Sequence, residues 1–248
     1  VAKTSGLGDN LYVGGYNLSG DIGSLSRIGG SIATQDVTGI DKYGFERIGL
    51  GRDGGIEFTS FFNAAAGQAT PVLKTLPTAD VVVSYFRGTA IGNPVASLVG
   101  KQINYDPTRA DDGALTLNTQ VQANGYGLEW GDQLTAGLRT DTAATNGTSF
   151  DTGGSLAFGA QAYLQVTAFT GTDVTIKIQD SADNSSFTDV TGFAFTQVTA
   201  APFTQRIALT NTATVRRYLR ASTVTTGGVT SVTFAVQVTK NAIAGQVF

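Results

Sequence analysis

The sequence predicts an all-β protein with one short helix, and three observations predict it. The 32 glycines and the many threonines interrupt nearly every window long enough for a helix, and both residues are poor helix formers. β-Branched and aromatic residues gather instead in short runs that alternate dry and wet positions with period two. Turn residues punctuate those runs throughout, which is the rhythm of an antiparallel sheet protein. Only 14% of residues are charged and 41% are hydrophobic, so the chain has enough apolar surface to fold rather than remain disordered.

In chain order, residues 1–10 are small, polar and glycine-rich and read as a flexible arm. Residues 11–13 and 16–18 read as short strands split by Gly14-Gly15, residues 21–28 as a turn or short helix, and residues 32–40 as a strand. Residues 41–55 are the densest charged stretch, with Asp41, Lys42, Glu46, Arg47, Arg52 and Asp53 set among five glycines. Both signs are mixed, so this is no anion site. It reads as a long loop, either a solvated hairpin connection or a surface matched to charges on another subunit. Residues 56–62 read as a strand. Residues 64–76 are the best helix candidate: Ala65, Ala69, Val72, Leu73 and Leu76 fall near helical spacing, Pro71 is tolerated in a first turn, and Pro77 ends it.

The rest of the first half is organised around residues 80–130. Residues 81–86 have the composition of a buried strand, and Gly88 and Gly92-Asn93-Pro94 break the chain after it. Residues 96–105 are strand-like again. Leu115, Leu117, Thr119 and Val121 then alternate with Thr116, Asn118, Gln120 and Gln122, one dry face against one wet face. Residues 125–131 close the block and hold Trp130, the one tryptophan.

Residues 140–154 are almost purely small and polar, and residues 138–154 read as a linker between a first domain (1–137) and a second (155–248). The second domain reads as an immunoglobulin-like or jelly-roll β-sandwich of about seven strands. Leu164, Val166 and Ala168 fall on one face of residues 160–169. Val174, Ile176 and Ile178 alternate with Thr175, Lys177 and Gln179, and Val232, Phe234, Val236 and Val238 form the cleanest dry face. Gly227-Gly228 fits a tight hairpin.

The sequence holds no Cys and no His, which excludes disulfides, thiol or imidazole catalysis, and Cys/His zinc sites. No phosphate-binding loop is present, and Gly6-Leu-Gly8 lacks the third glycine and the preceding strand of a dinucleotide site. Asp111, Asp112 and Glu129 are the nearest approach to a glycosidase pair, but the two aspartates precede a glycine in a turn. The acidic turn at 180–189 lacks the ligand order of an EF-hand and reads as a polar turn. No cofactor and no enzymatic activity are expected. Asn17, Asn146 and Asn184 sit in glycosylation sequons and read as chance matches. No run resembles a signal peptide or reaches the roughly 18 apolar residues of a membrane span. Val1 is read as a GTG start codon written as valine. Arg216, Arg217 and Arg220 form a small basic cluster, read as a charged strand edge or an outer-surface contact. Net charge is −3, with nine basic and 13 acidic residues up to Thr135 and seven and six after it. An acidic first half argues against binding through phosphate contacts.

Four segments of the first half carry a family resemblance: AKTSGLGDNLYVGGYNLSGDIGS (2–24), DVTGIDKYGFERIGLGRDGGIEFTSFFN (36–63), VVSYFRGTAIGNP (82–94) and KQINYDPTRADDGALTLNTQVQANGYGLEWGDQLTAG (101–137). Together they resemble the major tail (tail tube) proteins of long-tailed, non-contractile phages of actinobacteria. The resemblance implies a tail-tube-type β-barrel or sandwich domain, with the C-terminal sandwich as an outer decoration. It implies a homo-oligomer of hexameric rings stacked into a tube, with tape measure and other tail proteins as partners and double-stranded DNA only in transit. The location implied is the virion tail, after synthesis in the host cytoplasm. It further implies that the 41–55 loop contacts the next ring and that Lys3, Leu7 and Asp9 belong to an arm ordering on a neighbour. An acidic lumen would repel phosphate and let DNA slide. A capsid decoration protein would have the same composition, and a carbohydrate-binding module would rest on the C-terminal sandwich alone.

Overall fold

A computed structural model describes residues 5–244. In the first half the elements are β1 (Asn10–Val13), β2 (Tyr16–Asn17), a 3₁₀ turn (Ser19–Asp21), β3 (Ile22–Asp36), β4 (Arg47–Phe61), α1 (Ala69–Leu73), β5 (Val81–Phe86), β6 (Pro94–Gln102), β7 (Asp106–Arg109), β8 (Leu115–Ala123) and β9 (Glu129–Gln133). The second half adds β10 (Arg139–Asp141), β11 (Phe150–Asp151), β12 (Ala160–Gly171), β13 (Thr175–Ser181), β14 (Thr188–Ala194), β15 (Phe203–Ala208), β16 (Tyr218–Val224) and β17 (Val229–Lys240). Among the described residues the fold is all-β with one short helix and no closed barrel. That helix is five residues long, shorter than the 64–76 window, with Pro71 at its third position. Buried Asp21 fastens its start by accepting the Ala69 N–H at 2.9 Å and the Asn63 side-chain N–H at 2.8 Å.

β6 is the branch point of a 13-stranded sheet. β5 runs along one edge of it. The other edge is shared, with residues 94–97 pairing β9 and residues 100–102 pairing β8. Gly100 permits the fork: a Cβ there would stand 2.3 Å from the Gln122 carbonyl oxygen. One branch continues from β9 through β17 and β12 to β15, and the other from β8 to β4 and β3, with β7 also on β8. A second sheet runs β11-β16-β13-β14. The 13-stranded sheet therefore crosses from the first half into the second at the β9–β17 ladder. Residues 138–154, expected as a linker, supply β10 to the first sheet and β11 to the second.

Alternation decides which side chains are buried. Val232, Phe234, Val236 and Val238 on β17 are all buried and cluster with Leu164 and Val166, with Ile176 and Ile178 on the second sheet, and with Val174 just before β13. Ala168 departs from its expected face. The ladder shifts register between Val166 and Ala168, and this bulge turns Ala168 out to solvent while Phe169 packs on the core. A second core joins Leu11, Val83, Tyr85 and Leu98 to Ile56, Phe58, Val121 and Leu73. Each such fully buried large side chain contributes roughly 1.5–3 kcal/mol, so the two cores dominate stability.

Between the two cores runs a polar seam. Gln165 on β12 donates to the Val82 carbonyl at 3.0 Å and to Ser84 Oγ at 3.1 Å, and accepts the Gly15 N–H at 2.8 Å. Ser97 hydroxyl bonds reach Ser84 and Gln237. These groups are buried and satisfied, which avoids the penalty for orphaned buried polar atoms.

Candidate functional site: a protruding hairpin arm

β3 and β4 are 15 residues each and pair from Ile22↔Ser60 out to Asp36↔Arg47. Their inner portion carries Ile56 and Phe58 into the core. Their outer portion leaves the body and is exposed on both faces. Arg47, Arg52 and Asp53, expected in a loop, lie on β4, because the strand begins at residue 47. Asp41, Lys42 and Glu46 do lie in a loop, the arm's tip at residues 37–46.

The tip is internally braced. The Val37 N–H donates to the Glu46 carbonyl at 2.9 Å. Thr38 Oγ1 accepts the Glu46 N–H at 2.8 Å, and the Asp36 carboxylate accepts the Thr38 N–H at 2.9 Å. The Thr38 hydroxyl and N–H hold the Asp36 carboxyl below its ordinary value. Lys42 Nζ sits 3.9 Å from Asp41 and 3.6 Å from Glu46, and the Arg47 guanidinium lies 4.8 Å above the Phe45 ring. The charges of the tip thus largely meet each other. What the tip presents outward is apolar: Ile40 is 108% and Tyr43 110% exposed, and Val37, Phe45, Ile48, Leu50 and Ile32 extend the exposed apolar surface down the arm. The sequence reading took the charges as the signal and missed these side chains. Ile40, Tyr43, Phe45, Ile48 and Leu50 interleaved with glycines and charges were the sign of a strand without a second layer.

At the root of the arm, Gly29↔Gly55 and Gly30↔Gly54 pair across the hairpin. This belt without side chains lets residues 127–128 cross it like a strap. A Cβ on Gly54 would stand 2.6 Å from both Leu128 N and Leu128 Cβ. Beside the strap lies a cleft of about 250 Å³ lined by Ile32, Arg52, Asp53, Leu128 and Trp130 among others. Trp130, which the sequence placed only in the segment that closes the block, lies on β9 and is 48% exposed there.

The other expected contacts are more constrained. Lys3 lies outside the described residues. Leu7 is 90% exposed. Asp9 is held within its own chain, accepting the Gly88 N–H at 3.0 Å and the Tyr85 hydroxyl. Burial, then this bond to Asp9, pushes the Tyr85 phenol up to about 12. Arg216, Arg217 and Arg220 do not form a free basic patch. Arg216 Nε donates to Asp180 at 2.7 Å, Arg217 Nε to Asp151 at 2.7 Å and Arg220 Nε to Gln179 at 2.8 Å, and Arg220 also stacks 4.1 Å over Phe187. These partners come from other strands, far off in sequence. Among the described residues no group of three or more metal-ligating side chains forms, and no helix is long and apolar enough to cross a membrane.

No protein-family model matches the chain, and no curated protein matches it. Several solved structures align with the chain at low similarity. A chain of the virion of a native gene transfer agent particle aligns with a TM-score of 0.41 and 12% identity, covering 52% of this chain and 98% of that one. The SPP1 Dit (gp 19.1) protein, described as a hub adsorption apparatus in phages infecting Gram-positive bacteria, aligns with a TM-score of 0.35 and 12% identity over 94% of this chain and 99% of its own. A chain of the phage p2 baseplate in its activated conformation gives 0.36 and 8% over 94% and 98%. With TM-scores below 0.5, these likenesses assign the chain to no family.

Proposed function

We propose that this chain is a structural subunit of a phage tail that assembles with copies of itself, as a tube of stacked rings, through the β3–β4 arm. The observation that carries the reading is the arm itself: a braced hairpin with seven exposed large apolar side chains and, among the described residues, no second layer over it. A contiguous apolar surface of this kind marks an interaction site. A second feature points the same way. Among the described residues β3 pairs with β4 alone, so the outer edge of a 15-residue strand carries no ladder. Such an edge is a template for pairing with another chain, and head-to-tail contacts between unlike surfaces close into rings or extend into filaments. The sequence resemblance to tail tube proteins supplies the ring-and-tube form, hexameric symmetry and the tape measure protein as partner.

The exposed face of β4 and β8 fits a wall past which DNA moves. It carries the amides of Asn118, Gln120 and Gln122, and also Glu57, which is paired at 3.3 Å with Arg27 of the neighbouring β3. A surface with its cation paired gives phosphates little to bind. The test is sedimentation of the full chain against a variant with Ile40→Ser, Tyr43→Ser and Phe45→Ser. These side chains lie outside the core, so the variant keeps the wild-type circular dichroism. Wild type forms large particles at raised concentration and the variant stays small. Equal assembly of both would contradict the proposal.

A further inference from the structure

We propose that the cleft at the root of the arm receives Tyr43 from the arm tip of a second copy of this chain. The inference rests on the assembly reading above and names the acceptor that reading lacks.

Area identifies the class of occupant. Tyr43 and Phe45 alone offer on the order of 400 Å² of exposed side chain, at roughly 200 Å² per aromatic. That is half of the ~800 Å² each partner contributes to a standard protein–protein interface, and Val37, Ile40, Ile48 and Leu50 add to it. The arm therefore carries enough surface for a stable interface with another protein.

Size and chemistry identify the acceptor. At about 250 Å³ the cleft falls below the ~300–1,000 Å³ of small-molecule sites and suits a single aromatic side chain. Ile32, Leu128 and Trp130 supply apolar walls, and Ser31, Arg52 and Asp53 place polar groups beside them. A buried tyrosine needs such a mixture, because its ring seeks apolar contact and its hydroxyl a hydrogen-bond partner. Tyrosine and tryptophan are also the residues that most often anchor interfaces. Tip and cleft sit at opposite ends of one braced arm, so they cannot meet within one chain. Their pairing between copies is head-to-tail and repeats. The strap over the Gly30–Gly54 pair fixes the cleft relative to the arm, so each subunit would hold the next at a set spacing.

The chain has no cysteine, so introduced thiols are the only ones. Gly44→Cys leaves Tyr43 in place, and a Cβ at Gly44 meets nothing within 4 Å. Ser31→Cys marks the cleft. The two variants are mixed in equal amounts under mild oxidation, with light scattering recorded on the same samples. The expected result is a disulfide-linked dimer in the mixture and in neither variant alone. Adding Trp130→Ala to the Ser31→Cys chain should lower its yield by about tenfold, as truncating an interface anchor does. Cross-linking of Gly44→Cys to Phe62→Cys instead, or to itself, overturns the proposal. Particles without the cross-link overturn the proposal and leave the assembly reading standing, whereas loss of both overturns both.

Discussion

Arg206 on β15 and Glu129 on β9 form a buried two-pronged ion pair, with Nη2–Oε1 at 2.7 Å and Nε–Oε2 at 3.2 Å and side chains 6% and 0% exposed. The pair joins a strand of the second half to one of the first. Tyr163 accepts from Arg206 Nε at 3.1 Å, and the Tyr126 ring lies 3.8 Å from the guanidinium carbon. Removing one partner leaves an uncompensated buried charge, at a cost of about 3–5 kcal/mol. Glu129→Gln should therefore lower the thermal midpoint by roughly 6–20 °C at 2–4 °C per kcal/mol. The double variant Glu129→Leu/Arg206→Met should lose less than the single one. Thermal unfolding of the three proteins checks this, and a double variant less stable than Glu129→Gln would contradict it.

Asp173 ties the turn before β17 to the start of β13. Its carboxylate accepts N–H bonds from Thr226 at 2.9 Å and Gly227 at 2.6 Å and hydroxyl bonds from Thr225 and Thr226. The Thr226 N–H is the largest cause holding its pKa below the ordinary 3.8. A carboxyl depressed in the folded state adds stability that is fully present above its unfolded pKa and is lost as pH falls through the folded one. Stability should thus fall as pH drops below about 4. Asp173→Asn should flatten that acid limb while lowering stability at neutral pH. Urea midpoints measured from pH 7 down to pH 2 report both.

Gly54→Ala tests the strap. The added methyl group meets backbone as well as side chain of Leu128 at 2.6 Å, so the strap must move, at a cost of about 1–3 kcal/mol for overpacking. Trp130, two residues along, is the single tryptophan, so its emission reports this site alone. A shifted emission maximum with Gly54→Ala is expected, and none with Gly51→Ala, where a Cβ meets nothing within 4 Å.

Periodicity was legible wherever one sheet face was dry and ladders kept register. Val232 to Val238 and Leu117 to Val121 could be read directly, because every second residue faces the core and those positions are apolar except for buried Thr119. Ala168 could not, since the bulge that turns it out leaves no mark in the alternation. The fork at β6 was hidden too, because Gly100 among 32 glycines does not announce a close backbone approach. Charged residues misled most. Arg216 and Arg217 look like a patch in sequence, yet Asp180 and Asp151, which take up their charge, are 36 and 66 residues away. In the arm the charges drew attention to the right stretch for an incomplete reason, because Lys42 sits between Asp41 and Glu46 while Ile40 and Tyr43 are the most exposed side chains of the tip.

Negative-stain electron microscopy of the full chain across a concentration series tests the central claim most directly. Self-assembly through the arm predicts rings or stacked tubes with a central hole wide enough for a DNA duplex, roughly 20 Å or more given a major groove of ~12 Å. It also predicts their loss when Ile40, Tyr43 and Phe45 are changed to serine. Discrete monomers or trimers at every concentration, with no stacking, would contradict it.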